Sequence, residues 1–247
     1  MYELYFRFKT HTVIHNTKLN RALCKVFSAV MRIYLNTIYK AFLEIQLRLG
    51  RIMRKKKNTA DVVVSLTSFP ARIETVHITI MTLLRQTVAP KRIILWLSKE
   101  QFPNGVDDLP TVLKLVAAKS ILSIEFVEGD IRSYKKFVYI LEKYPEENFI
   151  TVDDDVFYPS RMIEHLMEMH MKYPDDVCCM SGIEINDICK MPSEWSQSGG
   201  LTKKLHHLRN IRIIGVGGYS ILQVLFIRMQ KICSLLRDYA PGQMICG

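Results

Sequence analysis

Three adjacent carboxylates, Asp153, Asp154 and Asp155, close the apolar run in NFITVDDDVFYP. Side chains alternate across an extended backbone, so Asp153 and Asp155 are expected on one side and Asp154 on the other. Two carboxylates held that close repel, and the repulsion is relieved when one takes a proton or a cation sits between them. An oxygen-ligated divalent ion, Mg²⁺ or Mn²⁺, suits the second outcome and keeps positions open for phosphate oxygens. The same residues also read as an acidic turn in which one Asp caps a helix beginning near Pro159.

Basic residues supply the complementary chemistry. Arg72 stands two residues after Pro70 at an expected helix start, where the helix dipole disfavours a cation, and this favours a phosphate or base ligand over a structural role. Lys135 and Lys136 can face the same ligand or form a solvated helix face. Trp195, in PSEWSQSGG, can stack on an acceptor sugar or anchor its loop. His206 and His207 lack metal-ligand spacing to any acidic partner and read as a solvated loop.

The elements that must position these groups start at Asp61. DVVVSL, RIILWL, SIEFV and NFITV are expected strands. The intervening segments have helical periodicity, with Ile73, Val76, Ile80, Leu83 and Leu84 on one face and Met162, Leu166, Met169 and Tyr173 on another. Strands alternating with helices imply an α/β fold, a parallel sheet covered on both faces. Ligands of such sheets bind beyond the carboxyl ends of the strands, where strand order reverses. Thr67, Ser68 and Arg72 follow the first strand, and the three aspartates follow the fourth.

The chain has 247 residues, 49% of them hydrophobic and 23% charged, enough for one sizeable domain and an appendage. Its charge is uneven. Residues 1 to 60 hold 13 Lys or Arg against Glu3 and Glu44, a sum of +11, so the remainder of a +10 chain sums to −1. The near-neutral remainder, without aromatic and basic residues interleaved, disfavours nucleic-acid binding. Leu23 to Ile52 has no Pro, and no Gly before Gly50, and can run as one or two long helices. Lys25, Arg32, Lys40, Glu44 and Arg48 interrupt it too often for a membrane span. It reads either as a basic amphipathic segment on an anionic membrane surface or as a helix packed on the domain with a solvated basic face. The start MYELYFRFKTHTV lacks the layout of a secretory signal, which points to the cytoplasm, with the inner face of the membrane open to the basic segment. Six cysteines without CxxC spacing read as reduced thiols, with Cys178 and Cys179 as small buried hydrophobes.

Taken together, VSLTSFPARIETVHITIMTLLRQTVAPKRIILWLSKEQFP, GDIRSYKKF and FITVDDDVFYP, in that order, resemble bacterial glycosyltransferases of the GT-A fold, the family-2-like kind that use nucleotide sugars. The resemblance covers residues 61 to 218. It implies a GT-A, Rossmann-like, mostly parallel sheet flanked by helices, preceded by a basic helical segment at 1 to 60. By the same resemblance, Thr67 and Arg72 contact the nucleotide of a diphosphate-sugar donor and Lys135 and Lys136 lie near it. Asp153 and Asp154 hold the ribose side of that donor, while Asp153 and Asp155 hold a Mn²⁺ or Mg²⁺ on the diphosphate. The acceptor is a glycan or lipid-linked glycan.

The pattern breaks after GVGG at 215 to 218. Relatives of this kind continue with a Tyr-Pro segment and a second acidic motif, CPxADDxW, where the catalytic base is expected, and residues 219 to 247 have neither. Joining the third base of each codon to the first two of the next forces Ala across Met229 and Gln230 and Asp across Met244 and Ile245, and both letters fit the missing motifs. The tail therefore reads as a frameshift product beginning near Gly218, with its apolar run ILQVLFI expected to dock poorly. Three readings stand: a glycosyltransferase with damaged acceptor chemistry, a non-catalytic nucleotide-sugar-binding remnant, and a membrane-surface interaction protein acting through its basic N-terminal helix.

Overall fold

A computed structural model of the chain describes residues 18–51 and 58–174 and the short strands at 178–179, 183–184, 211–212 and 225–227. They fall into two compact units. One unit contains helix α1 (Lys18–Tyr34), a π-helical turn (Leu35–Tyr39) and helix α2 (Lys40–Arg48), together with the short strands β6 (Ile183–Glu184) and β7 (Ile211–Arg212), which pair antiparallel. Gly50, at φ 69°, ends α2: Gly50 N and Arg51 N donate to the carbonyls of Leu47 and Gln46.

The other unit is an α/β, Rossmann-like layer structure. Its elements are β1 (Asn58–Thr67), α3 (Pro70–Ile73), α4 (Val76–Leu84), β2 (Val88–Ser98), α5 (Thr111–Ala118), β3 (Leu122–Val127), α6 (Lys135–Lys143), β4 (Phe149–Thr151), α7 (Met162–Lys172), β5 (Cys178–Cys179) and β8 (Leu225–Ile227). The strand order is β3-β2-β1-β4-β8-β5. The first four strands are parallel, and β8 is antiparallel to both β4 and β5. β1 and β2 are central, with helices on both faces, so their apolar runs are continuous: Val62 to Val64 and Leu66, and Ile93 to Leu97, are fully buried.

One sequence expectation changes. Helix α4 does not bury a single face; all of Val76 to Leu84 is buried, as expected for a helix apolar on every side. Its threonines satisfy local groups instead of water: Thr82 Oγ1 donates to the Thr79 carbonyl and accepts from Tyr158 N. Of the run ILQVLFI, only Leu225–Ile227 lies among the described residues, and its backbone pairs with both β4 and β5. A β-rich apolar run satisfies a strand's hydrogen bonds whatever frame encoded it. Cys178 is buried, as read.

The core beneath the parallel strands is built on Trp96, packed with Val63, Ile94, Val127, Ile140 and Phe149. Trp96 Nε1 donates to Ser65 Oγ (2.9 Å), and Ser65 Oγ donates to the Lys136 carbonyl (2.5 Å). One buried hydroxyl therefore links β1, β2 and the first turn of α6. Replacing it leaves an indole N–H and a carbonyl unpaired, at about 1 to 3 kcal/mol. Ser65→Ala is expected to lower the urea midpoint accordingly without changing the transition slope, read by circular dichroism. A change below about 0.5 kcal/mol would show that this link carries no stability.

Candidate functional site

In the strand order 3-2-1-4 the chain leaves β1 on one side to build β2 and β3 and returns on the other side as β4, so the order reverses between β1 and β4. The carboxyl ends of these two strands carry Ser68 and Arg72 on one side and Asp153 to Asp155 on the other.

Strand β4 ends at Thr151, and Asp153 to Asp155 lie in the turn that follows it. The alternation expected of an extended backbone therefore does not apply, and each carboxylate takes a different partner. Asp153 Oδ1 pairs with Lys136 Nζ at 2.5 Å, and its backbone N–H donates to the Tyr158 hydroxyl at 2.8 Å. Asp154, only 6% exposed, accepts from Ser68 Oγ (2.6 Å) and Arg72 Nη1 (2.8 Å), while its carbonyl accepts from Thr79 Oγ1 (2.9 Å). Asp155 Oδ2 lies 3.0 Å from the same Arg72 Nη1, and its side chain is 39% exposed. Asp154 and Asp155 thus share the Arg72 guanidinium, while Asp153 pairs with Lys136.

Arg72 also has a structural explanation that the sequence did not provide. Helix α3 is a single turn, and Asp154 and Asp155 offset the cation there. Burial acts to lower the Arg72 pKa, but the hydrogen bond to Asp154 and the charges of Asp154, Asp155 and Asp153 outweigh it, so the net shift is upward. For Asp155 the main effect is burial, which raises its pKa. Arg72 opposes that rise, while Asp154 and Asp153 add to it, and the carboxyl stays above its ordinary value.

Thr67 turns away from this cluster: its Oγ1 donates to the Trp96 carbonyl (2.8 Å) and ties β1 to β2. Adjacent Lys135 and Lys136 separate. Lys136 reaches Asp153 and the Val152 carbonyl, whereas Lys135, 1% exposed, pairs with Asp130 beyond β3. Asp130 also accepts from Gln101 Nε2 (2.6 Å) and from the N–H of Arg132, which holds a left-handed φ of 55°. Neither Lys is the freely solvated helix face weighed from sequence. Trp195, His206 and His207 lie outside the described residues.

Ser68, Thr79, Tyr158 and Asp130 complete these networks without having been assigned a site role from sequence. Ser68 was signalled by its place after the first strand, and Tyr158 by its polar-tipped ring three residues after Asp155.

Among the described residues, no group of three or more His, Cys, Asp or Glu could hold a metal unaided. Carboxylate oxygens such as those of Asp153 and Asp155 are the donor type that a hard divalent ion takes, with its remaining ligands from water and phosphate.

No protein-family model matches this chain, and comparison with curated proteins gives no match. Among solved structures, it is similar to 4-diphosphocytidyl-2C-methyl-D-erythritol synthase from Anaerococcus prevotii, at 13% identity and a TM-score of 0.35 over 76% of this chain and 77% of that one. A likeness that distant carries no weight here, and the α/β fold rests on the chain's own strand order.

Two predictions separate architecture from exposed chemistry. Asp154→Ala strands a buried hydroxyl and one arm of Arg72 and is expected to cost about 3 kcal/mol, whereas Asp155→Ala removes a half-exposed partner and should cost under about 1 kcal/mol. Equal losses in urea denaturation would refute the division. The Asp130 carboxyl is held below its ordinary value, first by the hydrogen bond from Lys135. Its stabilising contribution is complete above the unfolded-state pKa of about 3.9 and is lost as pH falls through the lower folded value. Asp130→Asn should be less stable at neutral pH, and its difference from the unaltered protein should shrink on titration from about pH 4 to pH 2. A difference constant across that range would show that the pair contributes nothing through charge.

Proposed function

We propose that the α/β unit binds a nucleoside diphosphate sugar at the reversal between β1 and β4 and is built to transfer its sugar to a glycan or lipid-linked glycan acceptor. One observation supports the reading above the others. Three segments far apart in sequence bring Ser68 and Arg72, Lys136, and Asp153 to Asp155 together at the place where α/β sheets bind ligands. The order of motifs in the sequence agrees with it.

The charge of the cluster limits how such a donor binds. Three carboxylates against Arg72 and Lys136 leave −3 + 2 = −1, so a bare diphosphate is repelled. Asp153 and Asp155 would hold a divalent ion together with the diphosphate oxygens, and that ion supplies charge stabilisation to the leaving nucleoside diphosphate. Arg72 engages its carboxylates through Nη1 alone, and its other guanidinium N–H groups, without partners among the described residues, are available to a phosphate. Lys136 balances Asp153 and adds positive charge beside the departing group. Buried Asp154 holds Ser68 and Arg72 in place. Removal of the acceptor proton falls to a base in the second acidic motif of similar enzymes, a motif absent after Gly218. Donor binding and sugar transfer are accordingly separable.

With only two suitable carboxylates, metal and nucleotide should bind as a pair. Calorimetry is expected to detect little binding of Mn²⁺ alone or of a nucleoside diphosphate in excess chelator, and clear binding when both are present. Asp155→Ala should abolish that dependence, and Arg72→Ala should weaken nucleotide binding by about 1.5 to 3 kcal/mol. Because the Asp155 pKa lies above its ordinary value, protons should compete with the metal and affinity should fall as pH drops through that raised value. Equal nucleotide affinity with and without chelator would overturn the metal-dependent reading. No affinity for any nucleotide sugar under either condition would overturn the donor site itself.

A further inference from the structure

The N-terminal helical segment presents two apolar faces, and only one is buried. Met31, Leu35, Leu43 and Leu47 are covered. Leu23, Val26, Val30, Ile33, Ile38, Phe42, Ile45 and Leu49 are between 39% and 64% exposed. The steps between successive members of this second set are 3, 4, 3, 5, 4, 3 and 4 residues. Steps of 3 and 4 keep side chains on one face of an α-helix, and a step of 5 displaces them by about two-fifths of a turn. The step of 5 runs from Ile33 to Ile38 and coincides with the π-helical turn Leu35–Tyr39, whose wider winding absorbs one extra residue. The buried set needs the same correction, since Met31 and Leu47, 16 residues apart in sequence, would lie about 160° apart around an unbroken α-helix. One local irregularity thus keeps both faces continuous along the whole segment.

An exposed apolar stripe of this length requires an occupant, and charge selects it. Residues 18 to 57 hold eleven Lys or Arg against Glu44 alone. Lys25, Arg48 and Arg51 are exposed within the described part, and the run Arg54 to Lys57 follows in sequence. A second copy laid along the stripe would bring like charges together over its full length. An anionic lipid surface accepts the apolar side chains among its acyl chains and pairs the cations with its headgroups. No helix among the described residues is long and apolar enough to cross a membrane.

We infer that this segment lies along an anionic lipid surface, with the stripe from Leu23 to Leu49 turned toward the acyl chains and the π turn holding its two halves in one register. The inference rests on neither the donor nor the metal reading of the α/β unit.

The test is sedimentation of the full chain with vesicles of phosphatidylcholine alone or of an equal mixture with phosphatidylglycerol. The unaltered protein is expected to bind the mixed vesicles at least about tenfold better than the neutral ones. The combined substitution Val30→Asn, Ile33→Gln and Ile45→Gln changes only exposed members of the stripe and should reduce that binding by about tenfold or more, with the helical circular dichroism signal retained. Lys25→Gln with Arg48→Gln and Arg51→Gln should erase the preference for anionic lipid. Failure of the unaltered chain to sediment with mixed vesicles would overturn the inference, as would equal sedimentation of the apolar variant. A concentration-dependent dimer in sedimentation velocity that the apolar variant abolishes would overturn it too, in favour of a second copy as the occupant.

Discussion

An ionised carboxylate almost sealed from water, that of Asp154, must be met by donors, since leaving it unpaired would cost several kcal/mol. Ser68 from the end of β1 and Arg72 from the single turn of α3 meet the carboxylate, while Thr79 from the middle of α4 donates to the Asp154 backbone carbonyl. Satisfying one aspartate therefore fixes three consecutive pieces of chain against the turn after β4. Once Asp154 faces inward, its neighbours on either side are directed elsewhere. Asp153 goes to Lys136 and Asp155 to the outer side of Arg72. The accessible carboxylates follow from the buried one.

This arrangement explains why the crowding is tolerable without a ligand and still leaves chemistry available. Arg72 bridges two of the acids through a single nitrogen, and Lys136 neutralises the third. The residual cost falls on Asp155, whose carboxyl burial and neighbouring acids hold above the ordinary range. A second cation placed beside Asp155 would relieve that cost, and a bare anion would add to it.

Much of the fold was legible because strand and helix periods differ. DVVVSL, RIILWL and SIEFV became β1, β2 and β3, and the helix whose face was expected at Met162, Leu166, Met169 and Tyr173 became Met162–Lys172. The site was legible in location but not in pairing. The alternation rule requires an extended backbone, and β4 stops two residues before Asp153, a boundary that an apolar run followed by acids does not disclose. The separation of Lys135 from Lys136 was equally hidden. Adjacent helical positions point about 100° apart, so one lysine of the pair can lie buried on Asp130 while the next reaches Asp153. Only the path of the loop before α6 decides which does which. That loop depends on Arg132 taking a left-handed backbone that a non-glycine residue adopts at a cost.

The N-terminal segment shows the opposite limit. Its charges were plain in the sequence, but its exposed face was not, because a step of five residues in a 3-and-4 pattern normally marks the end of one helix and the start of another. The backbone instead widens by one turn and continues. A π turn has poorer hydrogen-bond geometry than the α-helix around it, and an uninterrupted α-helix would rotate everything after Tyr39 by roughly a quarter turn. That rotation would carry Leu43 and Leu47 off the buried face and Ile45 and Leu49 off the exposed one. Loss of the buried face alone would be reason enough for the π turn. The same insertion also restores a second stripe that the fold leaves in water, and an apolar surface of that extent has an unfavourable hydration cost until something covers it.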